Sequence, residues 1–284
     1  MFLAIFINTF PFIYSMSFSL DEVLTKVTTG IPSLTAYEFY EGLDLLSLPV
    51  SGQLRIVVEL TERKQEGLGR LINGAPVFNQ HTLPVAFHVA YWAMREASSD
   101  FYWLSFAGHS LNGVLPGDYS VDEAIQAAIG HDLMEDHTLT HEEFLEAFGE
   151  RVYDLALALT KPDLPYLEVR GKGRKRMETE HEHNMRMEAE STGRLMRGPK
   201  AAILIKGADR FNNALCLPVP NRPDLQASLV ERTLMYTLPL LTDRTEYFTG
   251  LLMNRLLGLG VEEGRLSDAV GYRVVREQVS LLGV

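Results

Sequence analysis

An all-α fold is what this 284-residue sequence predicts, and three observations predict it. Apolar residues recur at mixed three- and four-residue spacing along most of the chain, as one face of a helix requires. Two capping boxes, Ser120 with Glu123 and Thr140 with Glu143, mark helix starts in its middle. No alternating pattern lasts long enough to specify a half-buried strand.

The elements follow in order. Residues 1–15, MFLAIFINTFPFIYS, are apolar but lack a basic leading region, contain Pro11 and are too short to span a bilayer comfortably. They read as a tail or an extraneous start, with Met16 as the alternative first residue, and 1–19 is set apart from the folded domain. Ser19 then caps a helix carrying Glu22 at its third position. Helical periodicity covers 52–67, 83–97, 120–136, 140–160, 174–196, 199–216, 224–241 and 245–258. Loops fall at 98–119, rich in Gly, Ser and aromatic residues, at 161–173, and at 217–224, where Pro218, Pro220 and Pro223 break helix. One helical domain over 20–255 with a helical extension at 256–284 is the simplest organisation.

Composition limits the function. With 46% hydrophobic and 22% charged residues the chain is neither disordered nor a polytopic membrane protein. A formal net charge of -11 argues against a nucleic-acid polymer as partner, because a polyanion needs a concentrated basic face. A small anionic ligand stays possible if positive charge or a metal is focused locally. The single cysteine, Cys216, excludes an intramolecular disulfide and a thiolate zinc cage. A cytoplasmic protein fits that composition, with no membrane partner expected and a homo-oligomer left open.

Charge is then placed oddly. At about 100° per residue, His131, Asp132, Glu135 and Asp136 fall near 0°, 100°, 40° and 140°, on one side of the predicted helix. Three carboxylates there repel one another, close to a helix C-terminus whose dipole disfavours anions. A solvated acidic face is one explanation. A bound divalent cation is the other, favoured by the small apolar run AIQAAIG before it and by histidine beside carboxylate. Two further ligand candidates lie elsewhere: His81 at the start of the helix beginning near Thr82, and Asp209 inside the apolar stretch AAILIKGADRFNNAL. A carboxylate in such a helix is costly unless paired or metal-bound, and Lys206 or Arg210 is the alternative partner.

In this order His81, His131, Asp132, Glu135, Asp136, Lys206, Asp209, Arg210 and Asn213 form the series H...HDxxED...KxADRxxN, which resembles the HD hydrolase domain of the RelA/SpoT homologues. The likeness covers about residues 60–245 and includes FGERVYDLALALTK after the acidic turn. It implies an HD-domain helical bundle. His81, His131, Asp132 and Asp209 would hold one Mn²⁺, and Glu135 and Asp136 would act on the attacking water. Lys206 and Asn213 would line the nucleotide pocket, Arg232 and Tyr236 would meet phosphate and ribose, and Arg70 would be a further substrate contact. The implied activity is removal of the 3'-pyrophosphate from the small-molecule nucleotides ppGpp and pppGpp. The chemistry is consistent: attack on a polyanion is opposed by charge until a metal neutralises the phosphate and acidifies water, and a nitrogen and oxygen donor set without thiolate suits manganese.

The sequence departs from the family in four places. Loop 98–119 is longer than usual, HT replaces HP at the first histidine with Pro84 two residues on, GRLINGAPVFNQH is longer than RKxGxPYxxH, and Gly130 stands where a larger apolar residue is common. The 34 residues after position 250 are too few for the synthetase and regulatory domains of the long family members, which points to a stand-alone hydrolase. The basic run RGKGRKR at 170–176 reads as a solvated loop or an arm closing over phosphates. His181 and His183 are spaced too poorly for a second metal site. Two other functions stay open: a phosphohydrolase of the same scaffold acting on NADPH, an adenosine alarmone or a dNTP, and a catalytically silent module that binds nucleotide.

Overall fold

The computed structural model describes residues 18–70, 74–101, 114–115, 119–171, 174–219, 222–242 and 244–270. The apolar tail at 1–15 and most of loop 98–119 lie outside the described residues. The fold is mostly helical. Three helices, α1 (Leu20–Thr28), α2 (Ala36–Leu45) and α3 (Gly52–Lys64), come first. A π-helical turn at Phe78–Thr82 then leads into α4 (Leu83–Phe101). After the short strands β1 (Val114–Leu115) and β2 (Tyr119–Ser120) follow α5 (Val121–Glu135), α6 (His141–Phe148) and α7 (Glu150–Leu159). A hairpin of β3 (Glu168–Gly171) and β4 (Arg174–Met177) precedes α8 (Glu180–Arg197) and α9 (Lys200–Leu215). The chain ends with α10 (Pro223–Arg232), a second π-helical turn (Thr233–Thr237), α11 (Leu238–Thr242), α12 (Glu246–Gly258) and α13 (Glu263–Val270).

The capping signatures are realised. Ser19, Ser120 and Thr140 each accept a hydrogen bond from the backbone N–H of Glu22, Glu123 and Glu143, whose carboxylates bond back to the cap. The same reciprocal arrangement starts α2 at Thr35 with Glu38 and α8 at Thr179 with Glu182.

Three spans differ from the periodicity reading. The helix expected over 140–160 is two, because Gly149 adopts φ +81°, a conformation open to glycine and closed to helix propagation. The helix expected from 174 begins at Glu180, since Arg174–Met177 pair antiparallel with Glu168–Gly171. Lys175 meets Glu168 at 3.1 Å and Arg176 meets Glu182 at 2.5 Å, so the basic run is a hairpin with part of its charge paired. Pro223 opens α10 at its first turn instead of breaking helix, the position where its missing N–H costs nothing.

The core is organised around α4, α5 and α9. Helix α9 packs on α4, α7 and α12, and α5 on α3, α4 and α7. Fourteen of the sixteen residues of α9 are buried, which makes it the central helix and places Lys206, Asp209, Arg210 and Asn212 inside the protein. Leu266 and Val270 of α13 join the same core. Gly130 has a packing reason: the stacked rings of Phe144 and Phe148, 4.1 Å apart, occupy the space a side chain there would need.

Candidate metal centre

Three elements bring the predicted ligands together. His81 comes from the π-helical turn before α4, His131 and Asp132 from the last turns of α5, and Asp209 from α9. Ligand atoms of His81, His131 and Asp209 all lie within 4.8 Å of one another, and all three residues are buried. Asp132 turns one oxygen to each imidazole: Oδ2 is 3.2 Å from His81 Nε2 and Oδ1 is 3.1 Å from His131 Nε2. His81 Nε2 is 3.4 Å from Asp209 Oδ1.

The protonation of both rings follows from their partners. His131 Nδ1 lies 2.7 Å from the Ala128 carbonyl, which only accepts, so Nδ1 carries the proton. His81 Nδ1 lies 2.7 Å from Asn212 Oδ1, an atom that also accepts from the guanidinium of Arg70 at 2.9 Å. Arginine only donates, so this atom is the amide oxygen and His81 Nδ1 is a donor. In each neutral ring the lone pair is therefore on Nε2, aimed at carboxylate oxygens that cannot donate to it. His131 Nε2 is buried with no hydrogen-bond partner. A proton or a cation is needed between these groups, and two imidazole nitrogens with carboxylate oxygens are a donor set for a divalent ion. The residues fit the metal.

Without a metal the charges lean on one another. Burial pushes the His131 imidazole down, and the carboxylates of Asp132 and Asp209 outweigh it, leaving it raised. Burial opposes ionisation of Asp132 and Asp209 too, yet both carboxyls sit well below the usual range. His131 and His81 hold Asp132 down, while Lys206 and the two histidines hold Asp209 down. The Lys206 ammonium, 3.1 Å from Asp209 Oδ2, is raised by that carboxylate against its own burial.

The centre opens into a cavity of about 420 Å³. On α9, positions 206, 209, 210 and 213 fall within about 100° of one another, so Lys206, Asp209, Arg210 and Asn213 form one wall. Glu135 and Asp136 line it from the end of α5, and Arg70 and Arg232 line it from the segment before His81 and from α10. Partial burial, then Asp132 and Glu135, raise the Asp136 carboxyl. Glu135 is ion-paired with Lys161. Tyr236 is the one predicted contact that does not line the cavity. It sits half-buried in the π-helical turn, whose wider pitch changes the angle to Arg232 that an α-helical spacing of four would set.

Three participants were not legible. Lys161 lines the cavity from the segment after α7. Asn212, fully buried, holds His81. Glu188 on α8 pairs with Arg210 at 2.6 Å, so Lys206 alone of the two alternatives partners Asp209. Against known proteins, the chain matches no protein-family model and no curated protein. No helix among the described residues is long and apolar enough to cross a membrane.

Proposed function

We propose that the protein is a metal-dependent nucleotide phosphohydrolase of the HD-domain type. Its substrate is a guanosine alarmone, whose 3'-pyrophosphate it removes with Mn²⁺, leaving GDP or GTP. The observation that carries this reading is the convergence of the buried His81 and His131 imidazoles with Asp209 and Asp132, beside a second carboxylate pair in a cavity rich in cations. His81, His131, Asp132 and Asp209 hold the metal, which when bound neutralises phosphate charge and acidifies water.

The chain's own residues divide the remaining work. Lys206, Arg210 and Arg232 give the α9 and α10 walls the positive charge a polyphosphate requires. Asp136, with its raised carboxyl and no ion pair among the described residues, accepts the proton of the attacking water. Glu135, restrained by Lys161, orients that water. The buried wall of α9 keeps bulk water away from the reacting face.

Incubating the protein with Mn²⁺ and a panel of ppGpp, pppGpp, an adenosine alarmone, NADPH and dNTPs tests the assignment. Pyrophosphate released from the guanosine alarmones is expected. Orthophosphate from NADPH or triphosphate from a dNTP moves the substrate to another nucleotide, and tight binding without turnover makes the protein a silent binder. Asp209→Ala should lose metal and turnover together, whereas Glu135→Ala and Asp136→Ala should keep the metal and lose turnover. Equal metal loss in all three would overturn the division of roles.

A further inference from the structure

Arg70 reads from sequence as a substrate contact, and its surroundings assign it a different task. One terminal nitrogen donates to Asn212 Oδ1 at 2.9 Å and to the Gln80 carbonyl at 3.2 Å. The other donates to Asn213 Oδ1 at 2.5 Å. Each asparagine then grips a metal ligand. Asn212 Oδ1 accepts from His81 Nδ1 at 2.7 Å, and Asn213 Nδ2 donates to Asp209 Oδ1 at 2.6 Å. Since His81 Nε2 stands 3.4 Å from that same Asp209 oxygen, the contacts close into a ring.

The donor inventory makes the ring directional. A guanidinium has only N–H groups, in a planar fork, so it obliges both asparagines to turn oxygen toward it. Asn213 must then present its NH₂ to Asp209, and the oxygen of Asn212 must take its second hydrogen bond from His81. The two ligands lie on segments far apart in sequence, and Arg70 spans them from a clipped turn. Its own N–H donates to the Ala75 carbonyl at 2.9 Å, its carbonyl accepts from Gly74 N–H at 2.7 Å, and Gly69 bridges to Pro76.

We propose that Arg70 is a positioning residue, a two-armed yoke that works through Asn212 and Asn213 to fix the metal-binding atoms of His81 and Asp209. This rests on the reading of His81 and Asp209 as metal ligands and not on the identity of the substrate. It has an unusual sign. By Coulomb's law alone, removing a positive charge beside a cation site tightens metal binding. Loss of a partner that orients the ligands weakens it, typically about 10–100-fold.

The test is calorimetric titration of Mn²⁺ alone, without nucleotide, into the full chain and its variants, with thermal unfolding as the folding control. Arg70→Met and Asn212→Leu should weaken Mn²⁺ binding by about 10–100-fold. Arg70→Lys should stay weak, because an ammonium lacks the fork. Asn212→Asp, which keeps an acceptor for both donors, should restore binding. In ¹⁵N spectra His81 should carry its proton on Nδ1 in the wild type and lose that preference in Asn212→Leu. Mn²⁺ binding in Arg70→Met as tight as the wild type or tighter, as a pure substrate contact would give, overturns the proposal. So does a wild type that takes up no Mn²⁺. If Arg70→Met does not fold, the two Asn212 variants decide by the same readout. The expected pattern without alarmone turnover would refute the substrate reading and leave the yoke standing.

Discussion

Replacing Gly130 by alanine tests how the helix that carries His131 and Asp132 is seated. At an open helix position this change stabilises by about 1 kcal/mol, because alanine has less backbone freedom to lose on folding. At position 130 a Cβ would come within 2.8 Å of Phe144 Cε2 and of Phe148 Cε1. Those rings are stacked with planes 8° from parallel, so displacing one drives it into the other. Overpacking a core costs about 1–3 kcal/mol. Set against about 1 kcal/mol of helix propensity, the net effect is destabilisation of up to about 2 kcal/mol. Each kcal/mol lowers the thermal midpoint of a domain of this size by about 2–4 °C. His131 is the next residue and its ring is tied to Ala128 on the same turn, so a shift of α5 also weakens Mn²⁺ binding. Urea and thermal unfolding of Gly130→Ala, Phe148→Leu and the double variant measure this. The double variant should be more stable than the sum of the single changes allows, since leucine vacates the contested space. Stabilisation of Gly130→Ala by the full helix-propensity gain would refute the packing argument.

Three other outcomes follow from single residues. His88 is buried with its ring against Val27 O, and burial lowers its pKa from 6.5 to about 4. The unfolded chain therefore takes the proton first. The contribution to stability is complete above the unfolded pKa and is lost as pH falls through the window toward about 4, by about 3 kcal/mol. His88→Gln should flatten urea midpoints between those limits, and parallel profiles for the two proteins would clear His88. The Glu188–Arg210 pair is almost fully buried, so Glu188→Ala leaves a charge without its partner and should cost about 3–5 kcal/mol in chemical denaturation, against under 1 kcal/mol for an exposed pair. His137 ends the turn after α5 at φ +54°, a conformation that costs an L-residue about 1–2 kcal/mol. His137→Gly should be neutral or stabilising, and a marked loss of stability would show that the imidazole makes a contact worth more than the strain.

The amino-acid sequence by itself determined what depends on neighbours within a few positions. The helix starts at Ser19, Ser120 and Thr140 were legible because a cap and its glutamate are three residues apart. So were the common face of His131, Asp132 and Glu135 and the common face of Lys206, Asp209 and Asn213, because helix geometry alone sets those angles. Thr179 with Glu182 carried the same signal for the true start of α8, and periodicity overrode it. Only the tertiary structure decided which charges meet: Glu135 with Lys161, Glu188 with Arg210, and Arg70 with the two asparagines behind the metal ligands. Each of these is a distance between segments brought together by helix packing, α5 on α7 and α9 on its neighbours. Such a distance is a property of the packed core, which no local pattern encodes.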